Sequence, residues 1–259
     1  MKTVSAGNCT RFAAKPLTHG GTPAPLWLAS FEERPLPALD LTECEQLIVL
    51  AAHPDDETLG VGAMITQLAA AGIPVRVVCA TDGGAARPGT SASERLRMET
   101  IRRYELRRAT NLLNIPPPVA LGLPDAELSR HEDRLAEMLA AVLDDAGPGP
   151  ATWCAATWRG DGHPDHEAVG RAASAACALT GSTLLEYPVW MWHWAFPADD
   201  AVPWDRAYAV PTSSWAMERK RRAAQCYRSQ FERGAGGASP RLPGFVLPRL
   251  LAVGEVVFR

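Results

Sequence analysis

Apolar positions along the chain fall into short unbroken runs separated by longer stretches of helical spacing. Residues 46–52, Gln46 through Ala52, form one such run, the pattern of a strand buried on both faces. Polar His53-Pro54-Asp55-Asp56-Glu57 follows, then Leu59, Met64, Ile65 and Leu68 at near-helical spacing, with Gly72 as a stop. Val75 to Ala80 reads as the next strand. Residues 46–80 therefore predict a βαβ unit with parallel strands and a right-handed crossover. The alternation continues: a helix from about Ser93 to Leu113, a strand at 119–121, a helix over 128–143, a strand at 152–155, a helix over 167–179 and a strand at 183–186. Beyond these come a helix near 214–228, a Gly/Pro-rich loop at 234–244 and a last strand at 252–258. Strands alternating with helices predict an α/β fold: a single Rossmann-like domain over 46–259 with a mostly parallel sheet, a core of about 46–190 and a C-terminal extension. Residues 1–45, broken by prolines at 16, 23, 25, 35 and 37, read as an irregular N-terminal segment.

Composition narrows the class. With 47% hydrophobic and 21% charged residues, the 259-residue chain has the balance of an ordered globular protein. A net charge of −3 lacks the basic excess that neutralises phosphates, so no nucleic-acid partner is expected. No window reaches the 18 or so apolar residues of a transmembrane segment, and residues 1–17 have no apolar core of signal-peptide length. The six cysteines form no Cys-x-x-Cys pair, and Cys79 and Cys154 sit in apolar runs as small hydrophobes, which fits a reducing, cytoplasmic setting. No Gly-x-Gly-x-x-Gly follows the first strand, so a dinucleotide site is unsupported. The pattern leaves oligomeric state open.

Candidate chemistry gathers at two strand ends. In open α/β sheets ligands bind beyond the carboxyl ends of the strands. His53-Pro54-Asp55-Asp56 follows the first strand, and His163-Pro164-Asp165-His166 lies beyond a later one and opens a helix. Converging imidazoles and carboxylates are the donor set that suits zinc, and three protein ligands would leave a fourth position for water. Either Asp56 or Asp165 could instead be no more than a helix N-cap.

With Ala52-His53-Pro54-Asp55-Asp56-Glu57 after an apolar strand and His163-Pro164-Asp165-His166 downstream, the chain resembles the PIG-L/LmbE-like zinc-dependent de-N-acetylases over about residues 46–190. The resemblance implies a Rossmann-like fold and a zinc hydrolase, one Zn2+ per chain, that removes acetyl from an N-acetylated amino sugar or glycoconjugate. It implies His53, Asp56 and His166 as zinc ligands, Asp55 as the general base, and His163 as the imidazole that stabilises the oxyanion and protonates the leaving amine. It also implies that Arg102 contacts substrate hydroxyls and that Asp125 is a loop carboxylate near the sugar. Two positions depart from the family. Asp161 stands where some relatives place a tyrosine, and Gly84 stands where many carry an acid. The physical chemistry agrees with these roles: bound zinc lowers the pKa of water toward ~7, and a positively charged His163 would face the developing oxyanion.

Other segments add less. Trp190, Trp192 and Trp194 recur with period two, so that strand geometry would point all three to one side. Either they pack in the core, or, with Trp192 as the substrate-binding candidate, they overhang the site and cover an apolar aglycone. His193 is a site residue or a packed imidazole, Glu105 a structural partner, and Glu218 to Arg222 a solvated helix face. Loops at 83–92 and 188–205 would set specificity. Two alternatives stand beside sugar deacetylation: the same hydrolysis of a non-sugar N-acyl substrate, and a non-catalytic zinc or sugar-binding module.

Overall fold

The computed structural model describes residues 7–85, 91–233, 237 and 239–259. Among these, seven strands form one sheet: β1 (Gln46–Ala51), β2 (Val75–Cys79), β3 (Val119–Ala120), β4 (Thr152–Thr157), β5 (Thr183–Tyr187), β6 (Ala207–Ala209) and β7 (Val256–Phe258). Their spatial order is β3-β2-β1-β4-β5-β7-β6. The first five strands are mutually parallel, and β7 runs antiparallel to both β5 and β6. The expected α/β fold with a mostly parallel sheet is what forms.

The continuous apolar runs are explained by burial on both faces. Along β1, Leu47, Val49 and Ala51 enter one core cluster, while Ile48, Leu50 and Ala52 enter the cluster on the opposite face. Helices α3 (Asp56–Ala70), α4 (Ala92–Leu113) and α8 (Ser214–Ala224) pack together, and α5 (Glu132–Ala146) packs on α6 (Pro164–Thr180). Gly60 and Gly170 allow two close approaches. A Cβ at Gly60 would fall 2.2 Å from the Tyr187 ring, and one at Gly170 would fall 2.6 Å from the Thr157 carbonyl.

Helix α3 is broken at Val61, where φ is −133° and ψ 25°. The break leaves backbone groups that no helical partner satisfies, and the C-terminal region supplies replacements. Glu255 accepts from the N–H groups of Ala63 (2.7 Å) and Met64 (2.8 Å). Lys220 of α8 pairs with Glu255 at 2.8 Å and donates to the Gly60 carbonyl at 3.4 Å. Both charged side chains are fully buried. Lys220 thus corrects the reading of 218–222 as a solvated face, although Glu218 and Arg221 do pair on the surface.

Three further expectations are corrected. The N-terminal segment is not irregular: α1 (Gly7–Ala13) and α2 (Ala24–Glu33) form there, and Trp27 of α2 is wholly buried. The segment after β5 is not extended but forms the short helix α7 (Met191–Trp194), so Trp190, Trp192 and Trp194 do not share one side. The terminal strand is shorter than expected because α10 (Val246–Val253) takes residues 252 and 253. A short helix, α9 (Arg228–Phe231), follows α8 and is tied to α4 by Glu105, which accepts from the Ser229 N–H at 2.8 Å and its hydroxyl at 2.6 Å.

Candidate metal and catalytic centre

Chain order reverses between β1 and β4, and the crevice at such a switch point is where α/β sheets bind ligands. Both His/Asp motifs open onto it. The turn after β1 carries His53, Asp55 and Asp56, and the loop after β4 carries His163 and His166 at the start of α6. The rings of His53, His163 and His166 lie 4.8–5.5 Å apart. Asp56 bridges two of them: Oδ1 is 3.2 Å from His166 Nε2, and Oδ2 is 3.4 Å from His53 Nδ1. Asp56 Oδ2 also accepts from the His53 N–H at 2.8 Å.

The donor atoms fit a metal ion. His166 Nδ1 faces the Asp161 carboxylate at 2.8 Å, so the neutral ring carries its proton there and turns a lone pair on Nε2 toward Asp56. Nε2 is buried with no hydrogen-bond partner, although a carboxylate oxygen is 3.2 Å away. Two acceptors this close share a cation, a proton in the metal-free protein or a metal ion in its place. Two ligands at about 2.0–2.2 Å from a tetrahedral ion stand roughly 3.3–3.6 Å apart. On its other side His53 Nε2 meets Asp125 (3.0 Å) and Asp165 (3.3 Å), leaving Nδ1 toward Asp56. Imidazoles backed by carboxylates in this way are oriented and made more basic. Three imidazoles, His53, His163 and His166, and a second group, His53, Asp125 and Asp165, are both compact enough to hold an ion.

Electrostatics follow from this crowding. Burial opposes charge on His166, but Asp56 and Asp161 outweigh it and push its pKa up to about 9. His53 is raised likewise against burial, by Asp125, Asp165 and Asp56. Burial tends to raise Asp56, yet the two imidazoles hold it well below the ordinary carboxylate range. Asp125 is brought down to about 2, His53 and the Ala85 N–H overcoming burial. His163 differs: burial and then the neighbouring imidazoles push it down to about 3. The imidazolium expected there is therefore disfavoured. Its Nδ1 accepts from the Asp165 N–H at 3.3 Å, which leaves Nε2 to carry the proton of a neutral ring.

Asp55 is pushed up to about 7 by burial, with Arg102 pulling the other way. Arg102, from α4, donates through Nη2 to Asp55 Oδ1 (3.1 Å) and the Pro54 carbonyl (2.8 Å), and through Nη1 to the Gly83 carbonyl (3.1 Å). Glycine is required at 83, where φ is +64° and a Cβ would lie 2.2 Å from Arg102 Nη1. Beside it, Glu99 of α4 fills the space of a side chain at Gly84, its Oε1 2.5 Å from where a Cβ would be. An acid therefore occupies that place from a neighbouring helix.

The cleft over this centre has a volume of about 220 Å3 and is lined by all seven polar site candidates together with Leu17, Leu59, Trp190, Gln230 and Leu242. Trp192 is the candidate it does not include. Its ring is 2% exposed and packs edge-on against Trp27 at 5.0 Å, because the α7 turn rotates it away from the cleft. Trp190 takes the position instead. His193 is a packed imidazole, Nε2 contacting the Lys15 carbonyl at 2.8 Å. Asp165 is not an N-cap: it accepts from the N–H groups of Ala126 (2.8 Å) and Leu128 (3.2 Å), and His163 caps α6. Sequence reasoning missed Asp161 as an orienting residue. Wholly buried, it also accepts from the N–H groups of Val189, Trp190 and Met191 at 2.9–3.0 Å. Its signal was position alone, flanked by Gly160 and Gly162 and five residues before His166.

A Rossmann-like sheet with a buried His/Asp centre at its switch point defines a class of α/β proteins built around a possible metal site. Residues 48–177 match the model of the GlcNAc-PI de-N-acetylase family (PIG-L), and the chain belongs to that family. It is 33% identical over 132 residues to a Bacillus subtilis protein named "Probable N-acetyl-alpha-D-glucosaminyl L-malate deacetylase 2", covering 49% of this chain and 58% of that one. It is 31% identical over 247 residues to a 1D-myo-inositol 2-acetamido-2-deoxy-alpha-D-glucopyranoside deacetylase 1 of Saccharopolyspora erythraea, covering 84% of this chain and 75% of the relative. In fold it is similar to the N,N'-diacetylchitobiose deacetylase of Pyrococcus horikoshii, with a TM-score of 0.58, 22% identity, and coverage of 73% of this chain and 72% of the other.

Proposed function

We propose that the chain is a zinc-dependent hydrolase that removes the N-acetyl group from a GlcNAc-type amino sugar or glycoconjugate. The observation that carries this reading is the buried Nε2 of His166 facing Asp56 at 3.2 Å beside Asp55 and His163. His53, Asp56 and His166 would hold the ion. Bound there, zinc supplies a water acidified toward ~7 and a Lewis acid for the amide carbonyl. Asp55, drawn toward neutral pKa by burial and held in place by Arg102, accepts the water's proton. The Nε2–H of neutral His163 donates to the oxygen on which charge develops, a contact worth roughly 3–4 kcal/mol. An amide nitrogen leaves only when protonated, and Asp55, having gained a proton, can return it. Arg102 acts here through Asp55, and Asp125 through His53. The sugar deacetylation named for the relatives gives the substrate class its support over other N-acyl compounds. A non-catalytic module would have no use for Asp55 and His163 beside the ligands.

The test is acetate release from a panel of N-acetylated glycosides and N-acyl amino acids by the zinc-loaded protein. Release from the amino sugars, abolished together with zinc retention in His166→Ala, is expected. Full zinc content in that variant would remove the assignment of ligands, and release from the N-acyl amino acids alone would replace the substrate class.

A further inference from the structure

Asp55 holds a backbone conformation that residues with a Cβ avoid, at φ 136° and ψ −28°. Such a residue persists only where its surroundings over-determine it. One source is Arg102, which binds the side chain and the preceding carbonyl. The other is a buried hydroxyl–carboxylate cluster reaching the backbone. Glu57 Oε2 accepts from the Asp55 N–H at 3.1 Å. Glu57 Oε1 accepts from the Thr58 hydroxyl and from the Tyr227 hydroxyl, each at 2.5 Å. Glu57, Thr58 and Tyr227 are all wholly buried.

Proton counting gives the cluster a direction. Each hydroxyl has one proton and lies 2.5 Å from Oε1, so both can donate there, with the two hydroxyl oxygens 3.1 Å apart. With Oε1 held by two donors, rotation of the carboxylate is restricted, and Oε2 is turned to the Asp55 N–H. Tyr227 sits between α8 and α9, outside the residues 48–177 matched to the family. It reaches the motif across 170 residues of chain.

We infer that Tyr227 and Thr58, acting through Glu57, form a clamp that positions Asp55 for proton transfer. They are positioning residues, and the inference rests on the role of Asp55 given above. Charge-assisted hydrogen bonds of this kind are about twice as strong as neutral ones, and a carboxylate locked by two of them is stiff enough to hold a strained peptide. The ligands His53, Asp56 and His166 are not contacted by either hydroxyl, so the clamp acts on the base and leaves metal retention alone.

Tyr227→Phe and Thr58→Val each remove one hydroxyl with little change in volume, and Thr58→Ser restores one. The expected result for zinc-loaded Tyr227→Phe and Thr58→Val is a kcat lower by about tenfold to a hundredfold, an unchanged KM and zinc content as in wild type. Thr58→Ser should recover most of the kcat. Wild-type kcat per bound zinc in both variants would overturn the clamp, whatever happens to their melting temperatures. If the wild-type protein itself releases no acetate from any substrate, the functional reading fails and the clamp is judged by crystallography. The double variant Thr58→Val/Tyr227→Phe should then lose the Asp55–Arg102 contact of 3.1 Å. An unmoved Asp55 there would likewise overturn it.

Discussion

Asp161 does two jobs from one buried carboxylate: it orients the His166 ring, whose Nε2 faces Asp56, and fixes the backbone of Trp190. Asp161→Asn offers the ring an amide in place of a charge. Loss of such a backing carboxylate weakens metal binding by about tenfold to a hundredfold, which competition with a chromophoric chelator would read. The raised pKa of His166 has a further consequence of definite sign. The metal-free ring stays protonated below about 9, and only the neutral ring can ligate. Zinc binding at neutral pH should therefore expel at least one proton per chain, and affinity should rise with pH toward that value. Calorimetry in two buffers of different protonation enthalpy measures the proton count, and a count of zero would mean that His166 is not a ligand.

At the scale of elements, the break in α3 and the buried pair that fills it form one unit. Lys220→Met leaves Glu255 buried and its charge uncompensated, a defect of about 3–5 kcal/mol. Its melting temperature should fall by roughly 6–10 °C, whereas Arg221→Ala on the exposed face of the same helix should leave it unchanged. Equal effects in a thermal melt would show the pair to be unimportant. Elements differed in how legible they were for identifiable reasons. Strands β1, β2, β4 and β5 were readable because burial on both faces makes them continuous apolar runs. The three-residue β6 lies at the sheet edge, paired antiparallel to β7, and is too short to carry a period. Helix α7 imitates a strand because its tryptophans alternate, while the turn is set by Asp161, 30 residues before Met191. Lys220 looked like solvated surface because its partner Glu255 is 35 residues away. The site motifs themselves were plain at two strand ends, whereas Tyr227 and Asp161 act through contacts that no local pattern encodes.

Across the whole molecule, the candidate catalytic groups and part of the cleft's lining come from different stretches of chain. The histidines and aspartates that line the cleft lie within residues 48–177, while Leu17, Trp190, Gln230, Arg241 and Leu242 line it from outside that stretch. Trp190 is the aromatic surface of that lining, stacked on Phe12 of α1 at 5.2 Å. Its indole should bear on what the amino sugar is attached to. Trp190→Ala should raise KM by about tenfold for a conjugate with a bulky apolar aglycone, and much less for simple GlcNAc, with kcat nearly unchanged. Initial-rate kinetics on the pair of substrates decide it, since equal losses on both would return Trp190 to a packing role.

The Glu255 that completes α3 is made long after the helix it repairs. About two hundred residues separate it from Asp56, which at usual rates of protein synthesis is a delay of roughly ten to forty seconds. Through that interval the N–H groups of Ala63 and Met64 lack the carboxylate that satisfies them in the finished protein. Until Glu255 emerges, the nascent chain carries the His53–Asp56 turn on a helix whose broken backbone is still unsatisfied.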